Sequence, residues 1–142
     1  MRHADARAAG RCDYRSYSQA VAEMRALAAA QPLYVRLWTT QHRYGLPTSG
    51  LCDGAPCLSY VLEVTEHATL ESDPERPDVF ISGALHGDER VGPTVTLELA
   101  HWLLSARHGA GSWAARLMRT RRLLLMPMTN AWGYSRAQRQ EN

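Results

Sequence analysis

Two short apolar runs, DVFISGA at 78–84 and RLLLMPMT at 122–129, bracket one helix-periodic segment. That arrangement narrows the fold more than any other feature of the chain. Each run is strand-sized and mostly apolar, as expected of a central strand covered on both faces. Between them Pro93 suits the first turn of a helix, and Val95, Leu99, Trp102, Leu103 and Ala106 repeat at helical spacing until Gly109. Ser112 can cap a further short helix over 113–120. A strand–helix–strand segment of this length joins two parallel strands through a right-handed crossover. The expected class is α/β, with a mixed, mostly parallel twisted sheet flanked by helices.

The preceding half fits that frame. SYSQAVAEMRALAAA (16–30) reads as a helix, with Ser16 and Gln19 forming a capping box and Tyr17, Val21, Met24 and Ala28 on one face. Gln31-Pro32 stops it. LYVRLWTT (33–40) has the β-branched and aromatic content of a strand, and LSYVLEVT (58–65) reads as a second. Three glycines and two prolines mark 42–57 as a loop, and the polar EHATLESDPERP (66–77) as another. At 142 residues the chain is the size of one domain, expected over 14–142 behind a flexible N-terminus at 1–13.

Composition then removes several function classes. The net charge is +2 and basic residues are scattered apart from Arg121-Arg122, so no nucleic-acid footprint is expected. The longest apolar run, LLLM at 123–126, is strand-sized, so no membrane span is expected. The opening residues lack the apolar core of a secretory signal, which makes cytoplasmic residence the expectation for a chain read by itself. In that setting Cys12, Cys52 and Cys57 are expected to be reduced. Cys52 and Cys57 can meet across a turn, but two cysteines without a second pair make a poor zinc site.

The stretch SGALHGDERVG (82–92) carries the chemistry. It follows the carboxyl end of one expected strand, and in open α/β sheets ligands bind at that rim. NAWGYSRAQRQEN (130–142) leaves the second run at the same rim. His86 and Glu89, three residues apart on a turn, can aim at one cation, and zinc accepts such N and O ligands. Gly87 is expected to let the backbone bend between them, and Gly83-Ala84 to leave room beside a metal. Arg136 and Arg139 are the cations expected to converge on that point. The residues alone leave plainer roles open. His86 can be a buried histidine, Asp88-Glu89 carboxylates favoured by a helix N-terminus, and the arginines a solvated face.

PDVFISGALHGDERVGPTVTLELAHWLL resembles the zinc carboxypeptidase family, of which carboxypeptidase A is the familiar member. YRSYSQAVAEMRALAAAQPLYVRLWTT resembles that family's opening helix and first strand, and LLLMPMTNAWGY the strand and turn that usually read Asn-Pro-Asp-Gly-Tyr. The resemblance covers about Tyr14 to Asn142. It implies that His86 and Glu89 are the first two ligands of one catalytic Zn2+, and that Arg139 polarises the scissile carbonyl. Arg136 is the second candidate for that role, or a substrate-binding residue. Ala131-Trp132 depart from the usual Pro-Asp. Asp88 stands where many members carry Asn, which makes it a supporting or surface group. The family's third zinc ligand, its general base and its carboxylate-binding Asn-Arg pair have no counterpart here, and His101 and His108 read as surface or capping residues.

The expected function is therefore a zinc-dependent metallocarboxypeptidase acting on peptide or protein C-termini. The chain reads as its N-terminal portion, inactive by itself, with Leu123, Leu125 and the helix face around Trp102 left exposed. Two other readings fit the same residues: a related zinc deacylase of N-acylated small molecules, and a non-catalytic peptide-binding domain of the same fold.

Overall fold

The computed structural model describes residues 14–109 and 111–141; the flexible segment expected at 1–13, Cys12 included, lies outside them. The first helix, α1 (Tyr17–Ala30), begins as its sequence dictates. The Ser16 side chain accepts from the Gln19 N–H while the Gln19 side chain accepts from the Ser16 N–H, completing the capping box. Tyr17, Ala20, Val21, Met24 and Leu27 form its buried face.

Strand β1 (Val35–Thr39) runs into a short helix α2 (Thr40–Tyr44), which takes the start of the expected loop. The Thr39 side chain caps α2 at the His42 N–H, and Gly45 ends it in the left-handed conformation, φ 65°. A two-stranded hairpin follows, β2 (Leu51–Cys52) against β3 (Ala55–Pro56), and then β4 (Tyr60–Val64). Cys52 and Cys57 close the hairpin as a disulfide, where reduced thiols were expected. The tight turn at Asp53-Gly54, both at positive φ, brings the two cysteines face to face.

The polar stretch 66–77 holds more than a loop. It contains a helical turn, α3 (His67–Leu70), and the buried Arg76. Arg76 donates to the Thr65 hydroxyl at 2.9 Å, the Glu66 carbonyl at 3.2 Å and the Thr69 hydroxyl at 2.9 Å, and it meets Asp73 at 3.1 Å. A buried guanidinium is tolerable only because its N–H groups are so widely satisfied.

The crossover follows as β5 (Asp78–Ser82), α4 (Val91–Ala106), α5 (Trp113–Thr120) and β6 (Arg122–Met126), before a last helix, α6 (Ala131–Arg136). Ser112 caps α5 as expected, its side chain accepting from the Ala115 N–H. The sheet order is β1-β4-β6-β5. The β1–β4 and β4–β6 pairings are antiparallel, and β5–β6 is parallel. Among the described strands the sheet is thus mixed, with parallel pairing confined to the β5–β6 crossover rather than prevailing.

Two expectations about burial need correction. Strand β5 lies at the edge of the described sheet, and Phe80 on it is 57% exposed. Its apolar run did not reveal this, because edge position is set by pairing and not by composition. Leu123 and Leu125, expected to be exposed, are buried in the core, where α4 and α5 pack against β6. Helix α4 buries Thr96, Leu97, Ala100, Leu103 and Leu104, while Val95 and Trp102 face outward. The Trp102 indole packs on that of Trp113, with ring centroids 5.8 Å apart.

Candidate metal-binding rim

The hydrogen-bond ladder between the parallel strands runs past their ends. The Gly83 N–H donates to the Met126 carbonyl at 2.9 Å, Thr129 N–H to Gly83 at 3.0 Å, and Asn130 N–H to Ala84 at 3.0 Å. Ala84 then turns the chain at φ 45°, a left-handed conformation that costs a non-glycine residue about 1–2 kcal/mol. Such strain persists where the surroundings over-determine it, and here it throws residues 85–89 onto the rim. Gly83 serves packing: a Cβ on it would lie 2.6 Å from Gly92 C and from the Pro127 carbonyl oxygen. Its bareness lets the start of α4 press against the strand end, which is a different use from the expected room beside a metal.

On that rim His86, Glu89 and Arg139 come together. His86 Nδ1 is 3.0 Å from Glu89 Oε1, and Arg139 Nη1 donates to the same oxygen at 3.3 Å. The Glu89 N–H donates to the His86 carbonyl at 3.1 Å, which closes the turn and puts both side chains on one side. Asp88 lies 3.8 Å from Arg139 Nη1, a supporting position. The His86, Glu89 and Arg139 side chains are 40%, 55% and 57% exposed, so this is an open site.

The turn is docked on α6 through backbone. A Cβ on Gly87 would lie 2.1 Å from Gly133 C and 2.4 Å from the Gln138 carbonyl oxygen, closer than any side chain allows. The expected sharp bend is therefore not what calls for glycine; Gly87 has no positive φ, and close approach is the constraint. Ala137, at φ 54°, ends α6 and folds the following residues back toward Gly87. The same turn-back separates the two arginines. Arg139 reaches Glu89, whereas the Arg136 guanidinium stacks on Trp132 at 4.8 Å. His101 bonds Glu23 at 2.8 Å between α4 and α1, the surface role expected of it.

Sequence reasoning passed over Asn130. It is buried, its side chain accepts from the Gly133 N–H at 2.7 Å, and its amide donates to the Arg139 carbonyl at 3.3 Å. A signal was available: asparagine immediately before a helical run is a preferred N-cap.

Zinc holds N and O donors at about 2.0–2.2 Å in tetrahedral geometry, which sets neighbouring donors roughly 3.3 Å apart. The His86–Glu89 pair, at 3.0 Å, needs only a slight opening to fit, and both groups face solvent. Among the described residues no group of three or more His, Cys, Asp or Glu side chains converges as a metal site. Among the described residues His86 and Glu89 therefore stand as a pair of donors with no third such group beside them.

Comparison with known proteins agrees with this architecture. The zinc carboxypeptidase family matches residues 58–142. Carboxypeptidase D of Anas platyrhynchos is 38% identical over 64 residues, covering 45% of this chain and 5% of that protein. The carboxypeptidase N catalytic chain of Homo sapiens is 30% identical over 75 residues, covering 53% of this chain and 16% of that one. The carboxypeptidase A structure from Helicoverpa armigera superposes with a TM-score of 0.68 at 20% identity, over 92% of this chain and 29% of that one. A metallo-carboxypeptidase from Burkholderia cenocepacia gives 0.66 at 18% identity, over 91% and 30%. This chain therefore spans under a third of the length of each of these proteins. By the family match, which takes in the rim residues and both strands of the crossover, the chain belongs to the zinc carboxypeptidase family.

Proposed function

We propose that the protein works as a zinc-dependent metallocarboxypeptidase that hydrolyses the C-terminal peptide bond of peptides or proteins. The observation that carries this reading is the meeting of His86, Glu89 and Arg139 within one hydrogen-bonded cluster at the carboxyl rim of the parallel strands. His86, through its ring nitrogen, and Glu89, through its carboxylate, would be two of the ligands. Zinc, when bound, supplies a Lewis acid and a water of lowered pKa.

The protein's own groups do the rest. Arg139 stands against Glu89 with a fixed positive charge, placed to donate to the carbonyl oxygen as negative charge develops on it. A guanidinium suits that role because it stays protonated and presents N–H groups in a rigid fork. Arg136, held over Trp132, would line the approach of the peptide as a substrate contact. Its stacking keeps the charge on the outer side of α6.

Metal analysis of the full-length protein tests the assignment. Zinc stoichiometry should fall in both His86→Ala and Glu89→Ala, together with release of C-terminal residues. Unchanged zinc content in both variants removes these residues as ligands, and equal cleavage of C-terminally amidated peptides argues against a carboxypeptidase.

A further inference from the structure

We propose that Asn130 is a positioning residue for Arg139, and that Asn130, Gly87 and Gly133 form a clasp that sets the guanidinium against Glu89. This rests on the role of Arg139 proposed above. Arg139 is exposed and its side chain is long, so its direction depends on where its backbone is held. The Arg139 carbonyl accepts two bonds, from the Gly87 N–H at 3.2 Å and from the Asn130 side-chain amide at 3.3 Å. One donor belongs to the turn that carries His86 and Glu89, and the other to the residue that starts α6.

Asn130 is suited to fix that point because it is itself held from three directions. Its N–H donates to the Ala84 carbonyl at the strand exit, its side-chain oxygen accepts from the Gly133 N–H, and its carbonyl accepts from the Tyr134 N–H, all with the residue 5% exposed. The two glycines make the clasp possible. A Cβ on Gly133 would lie 2.6 Å from the Asn130 amide nitrogen, and one on Gly87 would strike Gly133. Only with both bare can the Gly87 N–H and the Asn130 amide reach the same carbonyl. Each bond is ordinary in strength, but together they fix the backbone that carries the cation, and misplacement by about 1 Å can cost a hundredfold in rate.

Serine separates the two duties of Asn130. It remains a good N-cap and can still accept from Gly133, but it has no amide to offer the Arg139 carbonyl. In the full-length protein, Asn130→Ser should keep the thermal midpoint near that of the native protein, while Asn130→Ala lowers it by a few degrees. Both should reduce kcat by roughly ten- to a hundredfold with KM little changed, the signature of an interaction made in the transition state. Amide exchange at Gly87 should quicken in Asn130→Ser, a readout independent of activity. Arg139→Ala is the companion measurement. A normal kcat there overturns the role of Arg139 and the catalytic consequence of the clasp with it. A damaged Arg139→Ala beside an Asn130→Ser with normal kcat and unchanged Gly87 exchange overturns the clasp alone.

Discussion

The His67 ring lies 3.9 Å from the Glu63 carboxylate, with both side chains 6% exposed and neither ring nitrogen hydrogen-bonded among the described residues. Burial lowers the pKa of His67, Arg36 and Arg76 push it further down, and Glu63 opposes them. A depressed histidine pKa means that the unfolded chain binds more protons in the window just below the ordinary value of 6.5. The His67 contribution to stability is therefore complete above about pH 6.5 and is lost as pH falls toward the folded-state value. We expect the thermal midpoint to drop on acidification from pH 7.5 to 5, and to drop less steeply in His67→Gln. Equal slopes in the two proteins would assign the pH dependence to other groups.

Removal of the Arg139 guanidinium should act on the reaction and not on the fold. Its side chain is 57% exposed and its ion pairs with Asp88 and Glu89 lie at the surface, where such pairs contribute about 0–1 kcal/mol. Loss of an oxyanion donor costs on the order of a hundredfold or more in kcat. Arg139→Ala in the full-length protein should thus retain its thermal midpoint and zinc content while kcat falls by about that factor. Should Arg136→Ala show the larger loss, the two arginines exchange roles.

Gly87→Ala should disrupt the rim out of proportion to one methyl group. The new Cβ meets backbone atoms of Gly133, Tyr134 and Gln138, none of which can swing aside as a side chain would. Overpacking of this kind costs about 1–3 kcal/mol, and relief requires the His86–Glu89 turn to lift from α6. We expect a lower thermal midpoint and weakened zinc binding in the same variant. Gly109→Ala is the control, since no atom lies within 4 Å of the site of its Cβ.

The Cys52–Cys57 bridge closes a loop of sequence separation 5, for which chain-entropy estimates give a stabilisation of about 2 kcal/mol. Replacement of both cysteines by serine should lower unfolding stability by roughly that amount in denaturant titrations. Both sulfurs are buried, so mild reductant should act slowly on the folded protein. Disulfides persist in oxidising compartments. Thiol trapping of the protein taken directly from cells therefore distinguishes such a setting from the cytoplasm expected on sequence grounds.

What could be read from the sequence was what depends on neighbours along the chain. The Ser16–Gln19 capping box, the Ser112 cap and the pairing of His86 with Glu89 all lie within three residues, and each is present. Features decided across the fold were harder to read. Apolar residues occur nearly all around VGPTVTLELAHWLLSA, so its periodicity does not select between a face through Trp102 and one through Leu97, Ala100 and Leu104. The run 78–84 is as apolar as a central strand, yet among the described strands β5 is paired on one side only, and Phe80 on it faces solvent. Resemblance alone ranked Arg139 ahead of Arg136; the physical difference between them, the left-handed Ala137 that turns Arg139 back toward Glu89, is not written in the local sequence. Asn130 went unnoticed because its significance comes from a carbonyl nine positions away.

The ladder continuing from Gly83–Met126 through Thr129–Gly83 to Asn130–Ala84 also bears on how the molecule comes apart. The rim segments are not loops laid over a finished sheet; they share the slab that holds β5 and β6 together. Opening of the rim must break bonds that belong to the strand pair, so the two form one cooperative unit. Partial denaturation should therefore erase the His86–Glu89–Arg139 cluster and the parallel strands in a single step. No intermediate that retains one without the other should accumulate, and the place where a ligand would sit is as durable as the sheet beneath it.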